Sequence, residues 1–138
     1  MTAPEQQTNN DHTAIHLAVS RDNESLTQVL LQHGADFERQ ESEGQTALHI
    51  AAKLGSHAIV QLLLERMASV EVKDHFGRTA LFYAVQSENE AVVKLLLETS
   101  IDVDCTDVLG NVALHLAVEM RSESITVLLL SSGANINA

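Results

Sequence analysis

Thr46-Ala47-Leu48-His49-Ile50-Ala51 decides how this chain folds, because the stretch occurs four times. It reads Thr13-Ala14-Ile15-His16-Leu17-Ala18 before, and Thr79-Ala80-Leu81-Phe82-Tyr83-Ala84 and Val112-Ala113-Leu114-His115-Leu116-Ala117 after, each copy beginning 33 residues beyond the last. Two other tracks keep the same phase. Leu30-Leu31, Leu63-Leu64, Leu96-Leu97 and Leu129-Leu130 recur with it, and Gly44, Gly77 and Gly110 stand two residues ahead of the later copies. Three tracks in one phase make an internal repeat, and a period in this range is the signature of stacked supersecondary units.

One unit can be read physically. A Thr in the cap position followed by Ala, apolar and Ala positions gives a short helix whose small side chains let neighbours approach closely. A second helix follows almost at once, with Asn23, Ser56, Asn89 and Ser122 at its entry, all good N-cap types, and with Glu24, Glu90 and Glu123 next, favourable at a helix N-terminus. Apolar residues then recur at helical spacing, as in Ile59, Leu62 and Leu63. A stretch such as residues 102–111, with a late Gly, reads as a hairpin-like finger. A single unit cannot bury its apolar face, so the units must stack.

This pattern resembles the ankyrin repeat, with Gly34-Ala35-Asp36-Phe37-Glu38 and Gly133-Ala134-Asn135-Ile136-Asn137 closing second helices as that family's units close. The resemblance implies an all-α solenoid of helix-turn-helix units with β-hairpin-like fingers. It places a flexible tail at 1–10 and the repeat domain at 11–138, with units at about 11–40, 41–73, 74–106 and 107–138. It also implies that the track histidines His16, His49 and His115 hydrogen-bond within and between units, with Phe82 filling the third place by packing.

Several positions depart from the family pattern. Ala14, Ala47, Ala80 and Ala113 stand where Pro is usual, a change that costs little because Ala is an excellent helix former. Met67 and Ser100 replace the Gly that ends the second helix in a left-handed conformation, at about 1 kcal/mol each if the conformation is kept. Val112 lacks a cap hydroxyl, and the Gly between the two helices survives only as Gly55. The third and fourth units are therefore expected to be locally less ideal. The last helix, through Ile125 to Leu130, is as apolar as the internal ones, which leads to the expectation of a longer array or of an end covered by a partner or second copy.

Composition excludes several functions. The 138 residues carry 8 Lys and Arg against 19 Asp and Glu, a net charge of −11, with no Trp, one Tyr and one Cys. Such acidity opposes nucleic-acid binding, which needs clustered Lys and Arg. Apolar runs are far short of the roughly 20 residues that span a membrane, and residues 1–12 lack the basic start and apolar stretch of a signal peptide. An intracellular location, cytoplasmic or nuclear, is the expectation. The track histidines lie on separate units about 8–10 Å apart, too far to share one tetrahedral ion. The six glycines form no phosphate loop, and Cys105 has no cationic cluster near it in sequence. No enzyme, metal or cofactor is expected.

A protein-binding role is what the resemblance implies, on the concave face formed by finger tips and first-helix ends. The family's usual contact positions fall here on Gln45, Leu54, His75, Phe76, Arg78, Val108, Leu109, Asn111 and Met120. Phe76, Leu109 and Met120 would be apolar anchors, since aromatic residues and Met are enriched at interface cores; packing of finger against finger explains the same side chains. Fingers 36–45, 69–78 and 102–111 hold nine acids against three bases, which favours a basic or apolar partner segment, or serves solubility alone. The leading expectation is a non-catalytic interaction module within a larger regulatory or scaffolding protein. The alternative is a structural spacer, or self-association through the apolar C-terminal repeat.

Overall fold

The computed structural model describes residues 12–138; the tail expected at 1–10 lies outside them. Among these described residues eight helices follow in four pairs: α1 (Ala14–Ser20) and α2 (Glu24–Gln32), α3 (Ala47–Leu54) and α4 (His57–Glu65), α5 (Ala80–Gln86) and α6 (Glu90–Leu97), α7 (Ala113–Glu119) and α8 (Glu123–Ser131). The first helices stack on one another as one layer, and the second helices stack behind them as another. The small-residue track makes that stacking close: Ala51, Ala84 and Ala117 are fully buried, between layers of Val19, Leu48, Ile59, Leu63, Val85, Leu96 and Leu129. No β-strand occurs among the described residues, so the fingers are turns without ladders.

Histidine fixes the start of the first helices. The Nδ1 atoms of His16 and His49 accept the backbone N–H of Thr13 and Thr46, both at 3.0 Å, and His115 does the same for Val112 at 3.1 Å, so this half of the cap survives where the hydroxyl is missing. The Nε2 atoms of His16 and His49 donate to the carbonyls of Arg39 at 2.8 Å and Arg78 at 2.9 Å, in the neighbouring finger region. An N–H on one side and a carbonyl on the other fix a neutral ring protonated at Nε2. Burial keeps these two rings below the ordinary histidine pKa. Phe82 fills the third track position as a buried side chain.

Two expectations at helix ends need correction. Asn23, Asn89 and Ser122 do cap α2, α6 and α8, accepting the N–H of Leu26 at 3.0 Å, Val92 at 3.2 Å and Ile125 at 3.4 Å. The Ser56 hydroxyl instead donates across the units to Asp22 Oδ1 at 2.6 Å and does not cap α4. Met67 holds the left-handed conformation with φ 63°, but Ser100 has no positive φ. The reason is local: Thr99 donates both its hydroxyl, at 2.6 Å, and its N–H, at 3.1 Å, to the Leu96 carbonyl and closes α6 by itself. Strain is also spread differently from the expectation. Asp22, Met67, Glu88 and Arg121 put one non-glycine left-handed residue in every unit, each at about 1–2 kcal/mol.

Candidate protein-binding face

Each finger is folded by one carboxylate. Glu41 accepts the N–H of Glu43 at 2.7 Å and of Gln45 at 2.9 Å, Asp74 those of Phe76 and Arg78 at 3.0 and 2.9 Å, and Asp107 those of Leu109 and Asn111 at 2.9 Å. The N–H of the same three residues crosses the turn to the carbonyls of Gln45, Arg78 and Asn111 at 2.9, 3.0 and 2.9 Å. Asp74 and Asp107 are natural turn formers, because a short acidic side chain can bind backbone N–H groups just ahead of it, and the longer Glu41 makes the same pair of bonds. Burial pushes the carboxyls of Glu41 and Asp107 up, but these N–H donors, helped by His12 and Arg78 respectively, outweigh it and hold both below the usual range.

Successive fingers then join edge to edge. The His75 N–H donates to the Glu43 carbonyl at 2.9 Å, and the Val108 N–H to the Phe76 carbonyl at 3.0 Å. The approach leaves no room for a side chain beneath it: a Cβ on Gly44 would lie 2.9 Å from the His75 nitrogen, and one on Gly77 2.8 Å from the Val108 nitrogen. Both glycines also carry positive φ, 82° and 76°, which Gly adopts without the Cβ penalty.

The pairing sets Phe76, Val108 and Leu109 side by side at the tips, 48%, 67% and 79% exposed. His75 is exposed beside them, and Leu54 is exposed at the end of α3. Met120 is half-buried at the end of α7, and Arg78 and Asn111 are half-buried at the finger bases, with Arg78 Nε 3.6 Å from the Asp107 carboxylate. Among the described residues no group of three or more His, Cys, Asp or Glu is placed to hold a metal ion. The Cys105 thiol is pushed up in pKa, by burial and by Asp102 and Glu71 against the opposing charge of Lys73, the wrong direction for a reactive thiolate.

The sequence model of ankyrin repeats, in three copies, matches residues 2–74 and 67–138. The chain belongs to the ankyrin-repeat family. Ankyrin repeats are generally protein–protein interaction modules and typically non-enzymatic. A comparison with curated proteins found no match to the chain. No helix among the described residues of this ankyrin array is long and apolar enough to cross a membrane.

Gln45 stands apart from the other eight contact positions. It is 3% exposed, with Nε2 donating to the Tyr83 hydroxyl at 3.2 Å and Oε1 accepting from Lys53 Nζ at 3.2 Å. It therefore props the ankyrin face from behind and leaves the contact set. Tyr83 is the centre of that support, which the sequence reading missed. Its hydroxyl donates to Asp74, Lys53 Nζ lies 5.0 Å over its ring, and His49 meets it edge-on at 5.9 Å. Burial, the bond to Asp74 and the charge of Asp74 push its pKa up to about 12. One signal was available in the sequence: Glu41, Asp74 and Asp107 are 33 residues apart.

The finger acids are mostly structural. Those three are buried, and Glu38, Glu71 and Asp104 accept the N–H of Ser69, Asp102 and Asn135, in the following unit, at 2.8, 3.2 and 3.0 Å. The acidic strip is thus first a device for holding fingers in line.

Proposed function

We propose that this ankyrin array binds an apolar or basic-apolar protein segment across the tips of fingers 69–78 and 102–111, as a module of a larger regulatory or scaffolding protein. The observation that carries the reading is the contiguous strip of Phe76, Val108 and Leu109, exposed on fingers whose backbones are pinned together. Main-chain bonds and buried carboxylates already join finger to finger, which supports reading the exposed parts of these side chains as open to a partner. Rigid apolar anchors rimmed by polar groups suit a partner segment, because little ordering entropy remains to be lost on the array's side. An intracellular setting fits the reading.

Selection from a displayed random-peptide library tests it. The unaltered chain should enrich apolar peptides, and a Phe76→Ser, Leu109→Ser variant of unchanged helical content should lose them. Enrichment that survives the double substitution rejects the face. A second reading, self-association through the last unit, has an observation of its own: Val118 is 58% exposed, whereas Val85 at the same repeat position is fully buried. A sedimentation mass that rises with concentration favours it.

A further inference from the structure

At the junction of the second and third units, Tyr83 fills the space beneath the fingers, its hydroxyl donating to Asp74 and accepting from Gln45 Nε2. One junction on, the same frame returns 33 residues later. Asp107 stands for Asp74, with the same pair of backbone N–H donors, and Arg78 stands for Gln45. Leu116 stands where the phenol was, half-buried where Tyr83 is buried. The shorter side chain leaves a partly open cavity of about 70 Å³ with Arg78, Phe82, Asp107 and Leu116 in its wall, room for several water-sized volumes. Into this frame falls an orphan: Arg78 Nε is buried and makes no hydrogen bond, 3.6 Å from the Asp107 carboxylate. Buried donors without acceptors are rare in native proteins and call for an explanation.

We propose that this cavity takes a phenol side chain, a tyrosine of the bound segment, whose hydroxyl donates to the Asp107 carboxylate and accepts from Arg78 Nε–H. The chain itself supplies the template, since Tyr83 does both things with Asp74 and Gln45. Phe82 offers the ring an aromatic wall. Other occupants fit less well: a carboxylate would meet the charges of Asp107 and Glu119, an ammonium would bring a second cation against Arg78 and leave its Nε–H without an acceptor, and an aliphatic side chain would leave that donor unpaired. The tyrosine's source rests on the concave-face reading above, whereas the chemistry of the cavity does not.

Titration of 4-methylphenol into the isotope-labelled full chain, followed by amide and arginine side-chain resonances, tests it. Saturable shifts are expected at Arg78 Nε–H and at the amides of residues 107–111. Toluene should bind about tenfold to a hundredfold more weakly, because hydrogen bonds to charged groups separate the two probes. Leu116→Tyr should fill the cavity from inside and abolish the 4-methylphenol shifts; if that variant does not fold, the comparison of the two probes on the unaltered chain decides alone. No saturable shift, equal binding of both probes, or shifts that persist in folded Leu116→Tyr each overturn the proposal. The Phe76→Ser, Leu109→Ser variant should lose displayed peptides yet keep 4-methylphenol. Loss of peptides in that variant alongside no 4-methylphenol binding to the unaltered chain leaves the face standing and removes the cavity's role.

Discussion

Replacing Gly77 by Ala, against the same change at Gly110, isolates the contact that aligns the fingers. The two glycines hold the same place in consecutive units and nearly the same backbone, φ 76° and 81°. Each substitution therefore meets the same left-handed penalty, about 1–2 kcal/mol, and the same entropic gain in the unfolded chain, about 0.4–1 kcal/mol, for a net loss near 1 kcal/mol. The surroundings differ. A Cβ on Gly110 has nothing within 4 Å, whereas one on Gly77 lies 2.8 Å from the Val108 nitrogen, whose N–H donates to the Phe76 carbonyl at 3.0 Å. Relieving that overlap pulls the fingers apart and removes the bond, about 0.5–1.5 kcal/mol more. Equilibrium urea unfolding followed by circular dichroism should thus find Gly77→Ala less stable than Gly110→Ala by about 1 kcal/mol. Exchange of the Val108 amide should accelerate only in Gly77→Ala. Equal destabilisation of the two variants, with the Val108 amide still protected, would refute the claim that finger pairing holds the strip together.

Two other predictions concern helix ends and pH. Met67 is exposed and left-handed, so Met67→Gly should stabilise by about 0.5–1 kcal/mol, the strain relieved less the added chain entropy, while Met67→Ala stays near zero; Ser100→Gly, where φ is not positive, should destabilise, and a gain there in thermal unfolding would contradict the assignment of the α6 end. Acid should weaken the array in two stages. His16 and His49 have folded pKa values lowered by burial, so the unfolded chain binds protons first, and stability is complete above about pH 6.5 and falls below it. Glu41 and Asp107, also lowered, add a further loss as pH drops through about 4. Unfolding midpoints measured from pH 8 to 3 check both, and a midpoint unchanged between pH 7 and 5 would exclude the histidine stage.

What was legible in the sequence was whatever repeats at fixed spacing. Thr13 with His16 and Thr46 with His49, the leucine pairs, and Gly44 and Gly77 do the same work in successive units, so one unit's physics reads across to the next. What was not legible depends on a neighbour's identity. Ser56 and Ser122 share a repeat position, yet Ser56 turns to Asp22 because that acid lies within reach, a fact of two units and not of one. Ser100 looked left-handed by position, and Thr99 makes that conformation unnecessary. Gln45 sits among finger residues that contact partners in the resemblance, but Tyr83, 38 residues away, draws it inward. The acids of the fingers counted as surface charge in a composition, whereas Glu41, Asp74 and Asp107 are buried turn formers.

That the tips of fingers 69–78 and 102–111 bind a protein segment is tested most directly by hydrogen exchange on the array with and without a library-selected peptide. Added protection is expected in residues 74–79 and 106–112 and at the ends of α5 and α7, with α4, α6 and α8 unchanged. Protection confined to α4, α6 and α8, with the fingers exchanging as in the free chain, would contradict it.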